Sequence, residues 1–255
     1  MGTLSERVAL VTGASRGIGA ATAQTLSEAD ARVIITHRDS AAGAQEVLAG
    51  LTGEGHRIVE VSATDSEGLN AVAASVADIE GRLDVLVNNA AMTRVVPHGD
   101  LDTLTDDLFD QIFQTNVRGA FATVRAFRSL LAAGEGGVVV NISSLAARLA
   151  NGSNVAYCAS KAAVDNMTMS LARALAPEIR VLSVAPGLVD TELTRGWAPD
   201  VRNSMIAETP LGRLALPEDV ARAVLATVVD LPMTTGVAIP VDGGRPLGAE
   251  KKVHT

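Results

Sequence analysis

The chain has 255 residues, 47% of them hydrophobic and only 2% aromatic, with 21 basic against 29 acidic side chains for a net charge of -8. That length sits at the upper edge of what one hydrophobic core fills, and the acidic balance gives no general pull toward nucleic acid or an anionic membrane surface. The lone cysteine, Cys158, cannot form an internal disulfide, and no Cys/His cluster has zinc spacing, so no metal is expected. No apolar run approaches the roughly 18 residues of a membrane span. The opening "MGTLSERVALVTG" carries no cleavage pattern, and Glu6 stands where a myristoylation motif needs Ser or Thr. A cytoplasmic chain with neither nucleic-acid nor membrane partners is expected.

In chain order, short β-branched runs alternate with Ala/Leu segments of helical period. The strand "RVALVT" leads through "TGASRGIG" into the helix "IGAATAQTLSEA". Next come the strand "ARVIIT", the helix "SAAGAQEVLAGL", the strand "HRIVEVS" and the helix "SEGLNAVAASVADI". The strand "LDVLVNN" precedes one long helix over residues 104 to 132, then the strand "GGVVVNIS", a helix over residues 155 to 176 and the strand "IRVLSVAPG". Six near-continuous apolar strands separated by helices predict a parallel sheet buried on both faces. Right-handed crossovers then give an open, doubly wound α/β sheet, with the ligand crevice beyond the carboxyl ends of the strands. No linker or charge run divides the chain, so residues 1–255 are expected to form one domain. Residues 188–216, rich in Gly, Pro and Thr, interrupt the alternation and are expected to act as a substrate lid. The polar tail 245–255 is expected to fray.

"TGASRGIG", residues 12 to 19, lies between the first strand and the first helix. Gly13, Gly17 and Gly19 permit a tight turn and close approach of backbone to ligand, while Ser15, Arg16 and Ile18 fill the loop. Backbone N–H groups at that helix start would face a pyrophosphate. At the end of the second strand, "VIITHRDS", His37 stands where a carboxylate would accept from an NAD ribose, and Arg38 follows. With Arg16 approaching from the glycine turn, the pattern favours NADP(H); NAD(H) stays open, since a slip placing Asp39 against the ribose reverses the choice.

Tyr157, the only tyrosine, precedes Lys161 by one helical turn. A phenol of pKa about 10 exchanges protons too slowly near neutrality, but an ammonium about 4 Å away contributes roughly 4 kcal/mol at an effective dielectric of 20. Desolvation of the phenolate opposes that shift.

Tyr157 and Lys161 with Ser160, "TGASRGIG", "NNAA" at 88 to 91, Asn116 in "QTNVRG", "NISS" at 141 to 144, "PGLVDT" at 186 to 191 and "VDGG" at 241 to 244 together resemble the short-chain dehydrogenases/reductases, of the 3-oxoacyl-ACP reductase-like kind. The resemblance covers the whole chain and implies a Rossmann-type single domain, commonly a homotetramer or a homodimer. It implies that Tyr157 is the general acid/base and that Lys161 tunes it while binding the nicotinamide ribose. Ser144, thirteen residues before the tyrosine, would hold the substrate oxygen, with Ser143 the fallback, and Asn116 would anchor a water relaying protons to Lys161. Asn88, Ala90, Pro186, Gly187, Val189 and Thr191 would line the cofactor, and Leu145, Leu149 and Trp197 the substrate. Ser62 departs from the family, which usually places an aspartate there for the adenine, and Asp65 comes three positions too late. The leading expectation is an enzyme interconverting a ketone and a secondary alcohol. A 3-oxoacyl thioester, a cyclic ketone and a sugar-type alcohol remain open as substrates; an NAD-dependent alcohol dehydrogenase and a non-catalytic nucleotide sensor are the alternatives.

Overall fold

The structure, a computed structural model, describes residues 2–196 and 198–248. Seven parallel strands form one sheet in the order β3-β2-β1-β4-β5-β6-β7. They are β1 (Val8–Val11), β2 (Arg32–His37), β3 (Arg57–Glu60), β4 (Val85–Asn88), β5 (Gly137–Ile142), β6 (Ile179–Pro186) and β7 (Ala238–Val241). Order reverses between β1 and β4, which opens the crevice at their carboxyl ends.

Alternate residues of each strand feed two cores. Val11, Ile35, Val87, Val140 and Val184 pack under α1 (Gly17–Glu28), α2 (Ala41–Gly50) and α10 (Pro217–Val229). Leu10, Ile34, Leu86, Val139 and Val181 pack under α3 (Ser66–Ile79), α5 (Ala120–Leu131) and α7 (Val155–Leu175). Burial on both faces explains why these strands read as continuous apolar runs.

Three features differ from the sequence expectation. β7 is a seventh strand: it is short, half-exposed, contains Pro240 and pairs only with β6, so it lies at a sheet edge, where a missing N–H is tolerated. The long helix is broken into α4 (Asp106–Phe113), a π-helical segment Gln114–Gly119 and α5. The irregular stretch contains α8 (Glu192–Arg195) and α9 (Pro199–Ala207), and the chain then returns to the sheet as α10, which packs on α1. Within the expected tail, Arg245–Leu247 forms a 3-10 turn and Arg245 donates to Glu208 at 2.8 Å; residues 249–255 lie outside the described ones.

A polar column crosses this apolar interior. Asn88, Asn141 and Ser183 are in register on β4, β5 and β6. Asn88 Nδ2 donates to Asn141 Oδ1 at 2.9 Å, and Asn141 Nδ2 to Thr168 Oγ1 of α7 at 2.8 Å. Thr168 Oγ1 donates its own proton to the Val164 carbonyl at 2.9 Å, which leaves it to accept from Ser183 Oγ at 2.8 Å.

Phe127 is 0% exposed at the centre of the second core. Phe127→Ala is expected to lower the unfolding free energy by about 3–5 kcal/mol in urea titrations, the range for deleting a fully buried aromatic ring.

Candidate active site

The glycine turn is built by steric exclusion. Gly13 has φ +63°, and a Cβ there would meet Ala90 Cα at 3.0 Å; a Cβ on Gly19 would strike Asn89 Nδ2 at 2.5 Å. Asn89 fixes the turn by donating through Nδ2 to the Thr12 and Gly13 carbonyls, each at 2.9 Å. Thr12 Oγ1 in turn accepts from the Asn89 and Ala90 amides, each at 3.0 Å. At Gly17, φ +55°, a Cβ would meet nothing nearer than Thr191 Cγ2 at 4.0 Å. No side chain caps α1, so its first N–H groups are left for an anion.

These N–H groups open on a cavity of about 750 Å³ lined by Gly13, Ser15, Arg16, Gly17, Ile18, His37, Arg38, Ala90 and Thr191 among the expected cofactor residues. Met92, Thr93 and Ser62 line it as well. His37 is buried with Nδ1 lacking any protein partner. The uncapped helix end, the open Gly17 and this orphaned imidazole nitrogen fit a dinucleotide. Arg38 is engaged with Asp39, donating from Nη2 at 2.7 Å and from Nε at 3.0 Å. Arg38 holds the Asp39 carboxyl below the usual carboxylate range, with Arg16 adding to the effect. Ser62 Oγ pairs with Thr64 Oγ1 at 2.9 Å, and Asp65 caps α3 by accepting from the Gly68 amide, so neither stands in for the family's aspartate.

At the reacting centre, Asn154 caps α7 by accepting from the Tyr157 amide at 2.7 Å, which sets the start of the helix carrying the phenol. Ser144 lies close enough to the phenol to oppose the effect of burial on it. Its Oγ also accepts from the Ala146 amide at 3.1 Å, so its proton is free to donate. Ser143 instead turns inward, donating to the Lys161 carbonyl at 3.4 Å. Of the two serines, the structure therefore brings Ser144 to the phenol. Lys161 Nζ lies 5.8 Å from the centre of the Tyr157 ring and donates to the Ile142 carbonyl at 2.7 Å.

Burial dominates the electrostatics. It pushes the Tyr157 phenol up, with Ser144 opposing, and pulls the Lys161 ammonium down to about 8, with Asp165 opposing. Without a bound dinucleotide, desolvation outweighs the tuning expected from the lysine.

Asn116 sits in the π segment, where its side chain clasps the loop after β4. Oδ1 accepts from the Met92 amide at 2.8 Å, and Nδ2 donates to the Met92 carbonyl at 3.1 Å and to Ser160 Oγ at 3.0 Å. Ser160 Oγ passes its proton to the Tyr157 carbonyl at 2.8 Å. The side-chain amide is thus consumed in positioning rather than left free to anchor a water.

Asn88, Pro186, Gly187 and Val189 do not line the cavity. Asn88 belongs to the polar column, Gly187 donates to the Val241 carbonyl at 3.0 Å, and Val189 is bridged to Ala215. Leu145 is buried, its amide donating to the Pro186 carbonyl at 2.8 Å, while Leu149 is exposed. Trp197 lies outside the described residues. Sequence reasoning missed Asn89, Asn154 and the clasping role of Met92. Asn89 stood in the quoted "NNAA", and Asn154 three residues before Tyr157 at a helix start is a capping signal. Among the described residues no cluster of His, Cys, Asp or Glu is arranged for a metal ion, and no helix is long and apolar enough to cross a membrane.

A family model described as enoyl-(acyl carrier protein) reductase matches residues 13–245. The chain is 40% identical over 245 residues to a cis-4-hydroxycyclohexanecarboxylate dehydrogenase of Sinomonas cyclohexanicum, covering 94% of this chain and 96% of the relative. The chain belongs to the short-chain dehydrogenase/reductase family. It is also 35% identical over 240 residues to the 3-oxoacyl-[acyl-carrier-protein] reductase of Escherichia coli, covering 93% and 96%. The solved structure of a short-chain dehydrogenase/reductase from Brucella melitensis, described as a glucose/ribitol dehydrogenase, superposes with a TM-score of 0.89 at 27% identity, covering 96% of this chain and 98% of the other. The protein is an oxidoreductase of this family, acting on CH–OH and carbonyl groups.

Lys161 exposes a cost that the fold carries for the site. With its ammonium at about 8 against 10.5 when solvated, the unfolded chain holds between those pH values a proton that the folded chain has released. Stability therefore rises with pH across that window and is lower by a constant amount below it. Lys161→Met is expected to raise the unfolding free energy of the cofactor-free protein by about 1–3 kcal/mol near neutral pH, with the gain gone by about pH 11. Urea titrations at both pH values measure it.

Proposed function

We propose that the protein is an NADP(H)-dependent oxidoreductase that interconverts a ketone and a secondary alcohol, with Tyr157 as general acid/base. The observation that carries this reading is the convergence on one phenol of a hydroxyl with a free proton, Ser144, and a buried ammonium, Lys161. A carbonyl oxygen placed between Ser144 and Tyr157 accepts from both, and in reduction the phenol proton passes to that oxygen as the substrate becomes an alcohol. The bound dinucleotide supplies the hydride. Lys161 spends one N–H on the Ile142 carbonyl, leaving two for the nicotinamide ribose and the field at the phenolate. Asn116 and Asn154 hold the two backbone segments that frame the phenol.

The preference for NADP(H) rests on Arg16 and Arg38 at the cavity rim. Their charge-assisted bonds to a 2′-phosphate, about 1.5–3 kcal/mol each, exceed the value of the exposed Arg38–Asp39 pair, about 0–1 kcal/mol. The named relatives act on a hydroxycyclohexane carboxylate and on 3-oxoacyl thioesters. Both compound types are ketone/secondary-alcohol pairs, and they define the substrate classes proposed for this chain. Residues 188–216 would close over the substrate: α9 has no buried residue, and Arg202 grips Asp190 at 2.6 Å from a neighbouring turn. A homotetramer or homodimer is supported by the partly exposed Phe109 and Phe121 beside a groove of about 490 Å³ on α4, α5 and α7.

A panel of cyclic ketones, 3-oxoacyl and enoyl thioesters, and sugar alcohols, assayed with both cofactors at the nicotinamide absorbance band, tests the reading. Turnover of a ketone–alcohol pair with NADP(H) at least about tenfold better than NAD(H) is expected, with Arg38→Ala losing that advantage. Tyr157→Phe is expected to lose about a hundred- to ten-thousandfold in turnover with NADPH binding retained. Reduction confined to the enoyl thioester, or unchanged turnover in Tyr157→Phe, overturns the assignment.

A further inference from the structure

We propose that Asp165 is a positioning residue for this reaction: from one turn further along α7, its carboxylate keeps the buried Lys161 side chain in its ammonium form. The inference rests on the proposed role of Lys161 beside Tyr157.

Two uncompensated groups of opposite sign meet here. Lys161 is 4% exposed, and its Nζ has one protein acceptor, the Ile142 carbonyl. Asp165 Oδ1 is buried and has no hydrogen-bond partner. An unsatisfied carboxylate oxygen inside a protein is costly and is rarely retained without a use. Four residues of helix rotate Asp165 by only about 40° from Lys161 and advance it by about 6 Å, so both lie on one side of α7. At that range in a low-dielectric interior the attraction is substantial even without contact.

The separation is itself functional. No ion pair joins the two, so Asp165 supports the charge without capturing the N–H groups that Lys161 needs for a ribose and a phenolate. A carboxylate in direct contact would hold Nζ away from Tyr157.

Other charges do not duplicate this role. Burial lowers Lys161, and Asp165 is the one charged group that raises it. On α7, Tyr157 and Cys158 are the other titratable neighbours, both pushed toward their neutral forms by burial. The strands beneath contribute Asn141, Ser143 and Ser183, and the π segment Asn116, all uncharged. From α6 (Ala146–Leu149), Arg148 donates to the Ala238 carbonyl.

The test follows NADPH binding by nicotinamide fluorescence, and turnover on the best panel ketone, from about pH 6 to pH 10. Losing the ammonium weakens both. In Asp165→Asn and Asp165→Ser, that loss is expected roughly one pH unit lower than in the wild type, about a fivefold weaker binding at the pH where the wild type is half-titrated. Asp165→Glu, which keeps the charge, is expected to restore the wild-type midpoint. Two neutral variants guard against one failing to fold. Midpoints equal to the wild type in a folded neutral variant, or a neutral-like midpoint in Asp165→Glu, overturn the inference. If Tyr157→Phe keeps wild-type turnover, the reading of the site fails first; if it is inactive and the Asp165 midpoints do not move, only this inference fails.

Discussion

The register of β4, β5 and β6 is the constraint on which the rest of the site depends, and polar side chains lock it. Apolar burial alone would tolerate shifts by two residues along strands made of Val, Leu and Ile. Asn88, Asn141 and Ser183 do not: they occupy adjacent positions across the three strands, and Thr168 ties them to α7. A two-residue slip would separate Asn88, Asn141 and Ser183 from these partners, at about 1–3 kcal/mol each where the group stays buried. Register matters here because everything chemical hangs from the carboxyl ends of those strands. The loop bearing Ala90 and Met92 leaves β4, Ser143 and Ser144 follow β5, and Gly187 follows β6. The same column sets the height of α7 over the sheet, and with it the reach of Lys161 to the Ile142 carbonyl.

On that scaffold the proposed reacting groups are held against their own solvation preferences. Burial drives Tyr157 and Lys161 toward their neutral forms. A phenol that stays protonated is what carbonyl reduction requires of an acid, and an ammonium on the edge of losing its proton responds strongly to any charge placed nearby. The site is therefore tuned by long-range fields as much as by contacts. Ser144 lowers the phenol from close by, while Asp165 works on the lysine from a turn away. Stability lost by sequestering these groups is recovered from the two apolar cores, which makes the site replaceable without loss of fold.

Much of the architecture was legible in the sequence, because a strand covered on both faces must be apolar throughout. The glycine turn, the Tyr157–Lys161 pair and the first six strands all follow from local rules. β7 escaped because an edge strand of four half-exposed residues with Pro240 carries no such signature. α10 was readable in hindsight: Pro217 followed by Glu218 and Asp219 is how a helix starts, not how a loop continues. In the π segment, Gln114–Gly119, the weak helix formers Thr115, Asn116, Val117 and Gly119 signal a weakened helix but not a widened one, and the clasp of Asn116 on Met92 is visible only in the structure. Choosing Ser144 over Ser143 depends on which side of β5 the chain leaves, and residue types cannot encode that without the strand's phase. Asp165 was visible as a charge in an apolar turn, but its meaning required knowing that Oδ1 is enclosed.

The adenosine end of the cavity is governed by competition among charges. Arg38 and Asp39 occupy each other through two hydrogen bonds at a site more than half exposed, so either ribose substituent must first open that pair. The cost is the same for both cofactors; the return is not. A 2′-hydroxyl would gain one carboxylate acceptor and leave Arg38 to solvent. A 2′-phosphate would gain Arg38 and draw on Arg16, whose field already reaches Asp39 from the glycine turn. His37 adds an unsatisfied ring nitrogen at the cavity wall, able to donate to a phosphate oxygen in one tautomer and to accept from a hydroxyl in the other. On the proposed NADP(H) reading, two guanidinium groups against one carboxylate favour the phosphate. Asp39 keeps the margin narrower than a pair of unopposed arginines would set it.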